Sequence, residues 1–109
     1  MSLLINQNKI CGLIGLATRA GKVVFGTEAC MTAIQKRKVK LIVVAADAAE
    51  RTKKNFRDIC HNNQVSIIEI LTIEELSNSI GKDNKAIIGI SDSNFSNEIL
   101  KISGGEVIG

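Results

Sequence analysis

Apolar positions recur at two periods along the chain, and the switches between them mark the elements. Ile10, Leu13, Ile14 and Ala17 fall at i, i+3, i+4 and i+7, which predicts a first helix over 6–20. Gly12 and Gly15 inside it each cost up to about 1 kcal/mol against Ala, so both are expected to let the helix lie close to the sheet or a neighbour. Gly21 stops it. Val23-Val24-Phe25 is a short β-rich run, followed by a turn at Gly26-Thr27-Glu28 in which Thr27 is the expected N-cap, and by a helix over 29–36. The stretch from Val39 to Ala45 is almost continuously apolar, the pattern of a strand buried on both faces. Asp47 is the N-cap candidate for a third helix. Residues 21–47 therefore read as one βαβ unit, with a functional edge expected where strands hand over to helices.

That third helix is predicted over 47–62, with Ala49, Phe56, Ile59 and Cys60 inward and Arg51, Lys53, Lys54 and Arg57 mainly on its wet faces. A strand comes next, over 65–71. Thr72-Ile73-Glu74-Glu75 has the form of a capping box, with Ile73, Leu76 and Ile80 inward and Gly81 as the stop. A polar turn over 82–85 leads to a last strand over 86–90. Ser91-Asp92-Ser93 then caps a final helix with Phe95, Ile99 and Ile102 inward, and 104–109 reads as a tail. Helices and apolar strands alternate throughout, which predicts a single α/β domain built as a layered α/β/α sandwich.

Composition narrows the possible chemistry. At 109 residues the chain is one domain, able to bury roughly two-thirds of its unfolded surface. Its only aromatic residues are three Phe, so the core must be aliphatic, which also argues against a base-stacking platform for single strands. Charge is uneven: 11 Lys/Arg face 3 Asp/Glu from Met1 to Arg57, against 3 and 8 from Asp58 to Gly109. A basic half on a net charge of +3 suits a polyanion, although small domains also carry such asymmetry by chance. Cys11, Cys30 and Cys60 are odd in number, form no C-x-x-C pair and fall at apolar helical positions, which predicts core thiols rather than a disulfide framework or zinc site. No basic segment precedes an apolar run at the N-terminus and no segment approaches a membrane span, so a cytoplasmic protein is expected.

Candidate catalytic motifs fail on their own spacing. Gly15 to Lys22 imitates a phosphate-binding loop, but five residues separate its glycines, Val23 stands where a Ser or Thr would hold magnesium, and a strand rather than a helix comes after it. His61, the one histidine, sits beside Cys60 on a different helix face, with no third group to orient a nucleophile pair. Glu74 and Glu75 suit a helix dipole. The densest basic run, Lys36-Arg37-Lys38 with Lys40, falls at a helix C-terminus, where it serves either the dipole or a phosphate. At the other end, the amides after Thr27 offer a positive helix N-terminus suited to a phosphate. Glu28 there is either a base-edge acceptor or a plain first-turn carboxylate.

The pattern Gly-Lys-Val-Val-x-Gly-Thr-x-x-x-x-x-x-Ala-Ile, then a basic turn, then Lys-Leu-Ile-Val-Val-Ala-x-Asp, resembles the small RNA-binding ribosomal proteins called L-seven-Ae and L-thirty-e. The opening Ile-x-Gly-Leu-Ile-Gly-Leu-Ala-x-x-Ala-Gly-Lys is most similar to the bacterial YlxQ-type members of that superfamily, and the likeness runs from about Lys9 to Ile90. The resemblance implies a three-layer α/β/α sandwich with a mixed, mainly parallel four-stranded sheet whose last strand is antiparallel. It also implies binding to kink-turn or related internal-loop RNA, without cofactor or catalysis. In the family, the segment matching Gly26, Thr27 and Glu28 enters the RNA groove and reads tandem sheared G·A pairs. It is flanked by the segment matching Asp47 to Arg51 and by the loop matching Gly81, Lys82 and Lys85. Two departures stand out. The usual pair, Asn or Lys followed by Glu or Gln, falls on Glu28 and Ala29, and the usual cation four positions past its first member falls on Thr32.

The expected function is therefore a non-catalytic, monomeric RNA-binding protein of the ribosome or translation apparatus, with structured RNA, ribosomal RNA included, as partner and no small-molecule substrate. The alternative is a protein–protein module of the translation machinery with weak or no specific RNA binding, a reading that Ala29 and Thr32 favour.

Overall fold

The computed structural model describes residues 3–104, with side chains from Asn6 onward. In chain order the elements are α1 (Leu3–Arg19), β1 (Val23–Phe25), α2 (Thr27–Gln35), β2 (Leu41–Val44), α3 (Glu50–Asn63), β3 (Ser66–Glu69), α4 (Ile73–Ile80), β4 (Ile87–Ile90) and α5 (Ser93–Ser103). The alternation is as the hydrophobic pattern predicts, an α/β fold with five helices and one four-stranded mixed sheet among the described residues. The expected tail beyond Gly104 lies outside those residues. Gly104 itself closes α5 in the left-handed region.

The strand order is β1-β4-β2-β3. β4 runs antiparallel to both neighbours, Ile88 lying opposite Phe25 on one side and Val43 on the other, while β2 and β3 are parallel. Three strands thus run one way, but two of the three pairings are antiparallel, and the expectation of a mainly parallel sheet is corrected on that point. β1 and β2 share a direction yet are not neighbours. The cause is local to α4, whose eight residues span only about 12 Å. Ser77 in its middle accepts a hydrogen bond from Lys85 N (2.8 Å) and donates one to Lys85 O (3.2 Å). The chain therefore re-enters the sheet from the edge it has just left.

The core is aliphatic. All four residues of β2 and all four of β4 are buried, joined by Ile10, Ile14, Ile34, Leu76, Ile99 and the single fully buried aromatic, Phe56. α2 packs on α3 and against β1 and β4; α1 packs on α4 and α5. Arg57 on α3 clasps Glu69 on β3 with two hydrogen bonds (2.5 and 2.7 Å), which hold the Glu69 carboxyl below its usual range. In the turn before α3 the buried alanine is Ala48, and Ala49, expected inward, is exposed as the N-cap.

The glycines separate by what surrounds them. A Cβ on Gly15 would lie 3.4 Å from Ser79 O, an ordinary contact, so this position faces α4 but the approach of the two helices does not require a glycine. A Cβ on Gly12 would meet nothing within 4 Å, and the close-packing role expected for it is not found. On Gly89 in β4, a Cβ would press on Val39 Cγ1 at 2.9 Å, Val24 Cγ2 at 3.0 Å and Ile42 Cδ1 at 3.2 Å. Chemical denaturation should therefore separate two substitutions of one type. Gly89→Ala is expected to destabilise by about 1–3 kcal/mol through overpacking, and Gly12→Ala to stabilise by about 0.5–1 kcal/mol through helix propensity alone.

The thiols also divide. Cys30 and Cys60 are fully buried, and desolvation pushes both up to about 12; Cys11 is only partly buried. Because the thiolate is the reactive form, an alkylating agent at pH 8 should label Cys11 first and reach Cys30 and Cys60 only on unfolding, as mass spectrometry of timed samples would show.

Candidate nucleic-acid interface

β1, β2 and β3 all point their C-terminal ends at one edge of the sheet, so α2, α3 and α4 all begin there. β4 runs the other way, which brings the α4–β4 loop to the same edge. Each helix N-terminus carries roughly half a positive charge on amides without an intrahelical partner. The three starts are finished differently. At α4 the expected capping box is present, Thr72 Oγ1 accepting from Glu75 N (3.0 Å) and Glu75 accepting from Thr72 N (2.9 Å). Neither α2 nor α3 has a side-chain cap.

Both departures correct the sequence reading, and each has a reason. At α2 the N-cap is Gly26, at φ 93° and ψ 158°, a conformation open essentially only to glycine. The Gly26 carbonyl takes the first helical bond from Cys30 N, so Thr27 is already the first helical residue and cannot be the cap. Asp47, expected to cap α3, instead accepts from Ile73 N at 2.8 Å and serves the start of α4. The β2–α3 turn is held by Lys53, whose ammonium donates to Ala46 O (2.8 Å) and pairs with Glu50 (3.0 Å).

The edge loop is fastened to β1. Gly26 N donates to Ile87 O (3.0 Å), and the ammonium groups of Lys82 and Lys85 lie 5.0 and 5.8 Å from the centre of the Phe25 ring. Such cation–ring contacts contribute roughly 0.5–1 kcal/mol each at an exposed site, enough to bias two long side chains towards the start of α2. Gly81 and Asn84, both left-handed, turn the loop. Asp47 and Lys82 line a common cleft of about 410 Å³ with Glu74, Asn78, Asp83 and Asn84. Glu28, Ala29 and Thr32 are exposed along α2 and share a shallow recess with Lys36 and Lys38. Arg37 and Lys40 turn elsewhere, into a polar cleft of about 450 Å³ at the opposite edge, beside the C-terminal end of α3.

A family model matches residues 8–100, nearly the whole fold and every element of this edge. The chain belongs to the ribosomal protein L7Ae/L30e/S12e/Gadd45 family. Within it the chain is a YlxQ-type member. It is 37% identical over 100 residues to a protein named RNA-binding protein YlxQ from Enterococcus faecium, covering 92% of this chain and 96% of that one. It is 31% identical over 90 residues to the protein of the same name from Bacillus subtilis (strain 168), covering 83% and 90%. A Bacillus halodurans structure described as a protein with unknown function superposes with a TM-score of 0.82 at 32% identity, covering 86% of this chain and 95% of its own. The Giardia lamblia 15.5kD RNA binding protein has a TM-score of 0.77, covering 95% and 89%, and at 15% identity shares the fold alone.

For this L7Ae-family chain, the three expected segments do meet at one edge. Phe25 holds Lys82 and Lys85 of the loop, Gly26 next to it bonds to Ile87 at the start of β4, and Asp47 is tied to the start of α4. Glu28, Ala29 and Thr32 form one exposed strip, and Arg51 stands exposed in the first turn of α3. Phe25, Lys53 and Ser77 organise the edge but escaped the sequence reading. Phe25 carried the one available signal, an aromatic ring at a strand end beside a glycine. Among the described residues no group of three His, Cys, Asp or Glu is placed to hold a metal ion, and no helix is long and apolar enough to cross a membrane. Since Asp47 joins two elements of the edge, Asp47→Ala should lower stability by about 1 kcal/mol, the net contribution of one such hydrogen bond. A change in denaturation midpoint within the roughly 0.5 kcal/mol scatter of ordinary surface substitutions would show that the bond is solvent-compensated.

Proposed function

We propose that this chain is a non-catalytic RNA-binding protein that recognises folded RNA of the kink-turn or internal-loop type and serves the ribosome or translation apparatus. The observation that carries the reading is the pair of uncapped helix starts at Gly26 and Ala49, set beside Lys82 and Lys85 on one sheet edge. Backbone amides and cations on a rigid edge suit a phosphate chain held in a fixed shape. The scarcity of aromatic residues argues against recognition by stacking. The names of the two YlxQ relatives and the family membership support the same conclusion. The reading takes the sheet as the middle layer of a three-layer sandwich, with α2 and α3 in one helix group and α1, α4 and α5 in the other. It also takes the protein as a cytoplasmic monomer that needs no cofactor, and structured RNA, ribosomal RNA included, as its partner.

Roles follow from position. The free amides of α2 and the Phe25-held lysines contact phosphates, and Glu28 accepts from guanine donors. Ala29 and Thr32 supply neither a second base acceptor nor a cation, so affinity leans on the loop of Gly81 to Lys85 and on Arg51.

A kinked RNA containing G·A pairs should bind far more tightly than a duplex or single strand of equal length, and equal affinity for all three would reduce the protein to a nonspecific polycation. Glu28→Ala should weaken the kinked RNA by roughly 1–3 kcal/mol with little change in salt slope. Thr32→Lys should tighten binding and steepen the slope by about one. Fluorescence anisotropy across a salt series reads both.

A further inference from the structure

We propose that the face formed by α1 and α5 is a docking groove for a helix of another protein, one that presents apolar side chains flanked by carboxylates. Gly12 raises the question. It lies exposed in the middle of α1, where glycine weakens a helix, yet its backbone is helical and a Cβ there would touch nothing. Neither conformation nor packing among the described residues accounts for the missing side chain. Its surroundings do. Gly12 floors an open groove of about 480 Å³ whose walls are Leu13, Leu16 and Ile102. Leu16, 48% exposed, is the one large hydrophobic side chain left exposed among the described residues. A bare helix backbone between apolar walls lets a second helix approach closely, as a helix laid in a groove requires.

Charge selects the occupant. Lys9 and Arg19 rim the groove on α1, and Lys101 lies beside it on α5 against the single acidic neighbour Glu98. None of these four groups forms an ion pair with another described residue. A second copy docking face to face would set cations against cations, whereas a helix with acidic flanks would pair with them and be steered by them. The groove shares no residue with the proposed RNA edge, and the inference stands whether or not that reading holds.

The probe is a side-chain-stapled helical peptide of about 15 residues, with Leu at groove-facing positions and Glu on both flanks, titrated into the isotope-labelled full chain by NMR. Shift changes should be confined to the amides of Gly12, Leu13, Leu16 and Ile102. The same peptide with Lys on its flanks should bind at least tenfold more weakly. Gly12→Ala should remain folded and at least as stable while losing the peptide response tenfold or more. Absence of any response at millimolar peptide, equal binding of the Lys-flanked peptide, or an unaffected Gly12→Ala variant would each overturn the proposal. So would three other occupants, each seen at the same amides: a kinked RNA, a second copy through concentration-dependent shifts, or the chain's own terminus on removal of residues 105–109.

Discussion

Insertion of β4 between β1 and β2, antiparallel to both, is the constraint on which the rest of the structure depends. It keeps β1 and β2 apart while leaving them pointed the same way, so the starts of α2, α3 and α4 share one edge. It also returns the α4–β4 loop to that edge, where the two hydrogen bonds between Ser77 and Lys85 and the contacts of Lys82 and Lys85 with Phe25 fasten it. Gly89 allows β4 to occupy this place, because Val24, Ile42 and Val39 already fill the space of its missing side chain. A central strand with a larger residue there would have to push its neighbours apart, and the edge would lose its register.

The charge pattern follows from the same topology. Three helix starts on one edge concentrate positive potential; Glu28 and Glu50 in the first turns of α2 and α3 offset part of it, and only the start of α4 has its amides capped by side chains. At α4, Thr72, Glu75 and Asp47 occupy the first amides. At α2 and α3 the caps are Gly26 and Ala49, which offer no acceptor. A missing cap costs about 1 kcal/mol of stability, and two on one edge, beside two fastened lysines, leave donors free for an anionic partner. The basic run at Lys36 to Lys40 divides between two surfaces: Lys36 and Lys38 continue the strip of Glu28 and Thr32, whereas Arg37 and Lys40 face a cleft at the far edge.

Much of this was legible in the residues. The buried strand at 41–44, the capping box at Thr72 and Glu75, the Asp92 cap and the element order all follow from local pattern, and local forces do decide them. The errors arose where a distant partner wins. Asp47 is a sound N-cap by type, but the amide of Ile73, 26 positions along the chain, reaches it first. Thr27 is a better cap than glycine by propensity, yet only glycine adopts the backbone found at Gly26. The pairing of β4 depends on how α4 lies, which no periodicity records. Phe25 stood in the sequence only as the end of a short β-rich run, and its place as the seat of Lys82 and Lys85 exists only once β1 and the edge loop are adjacent. The resemblance to the L7Ae-type proteins located the edge as a whole; the individual partners came from the geometry.

The most direct test of the central claim, that the uncapped edge is the RNA site, is amide hydrogen exchange of the free chain and of its complex with a kinked RNA. The account predicts new protection at Thr27, Glu28, Glu50, Arg51 and Lys82 to Lys85, and none along Lys36 to Lys40 beyond what binding does to the whole fold. Protection centred on Arg37 and Lys40, with the starts of α2 and α3 unchanged, would contradict it and move the RNA site to the opposite edge.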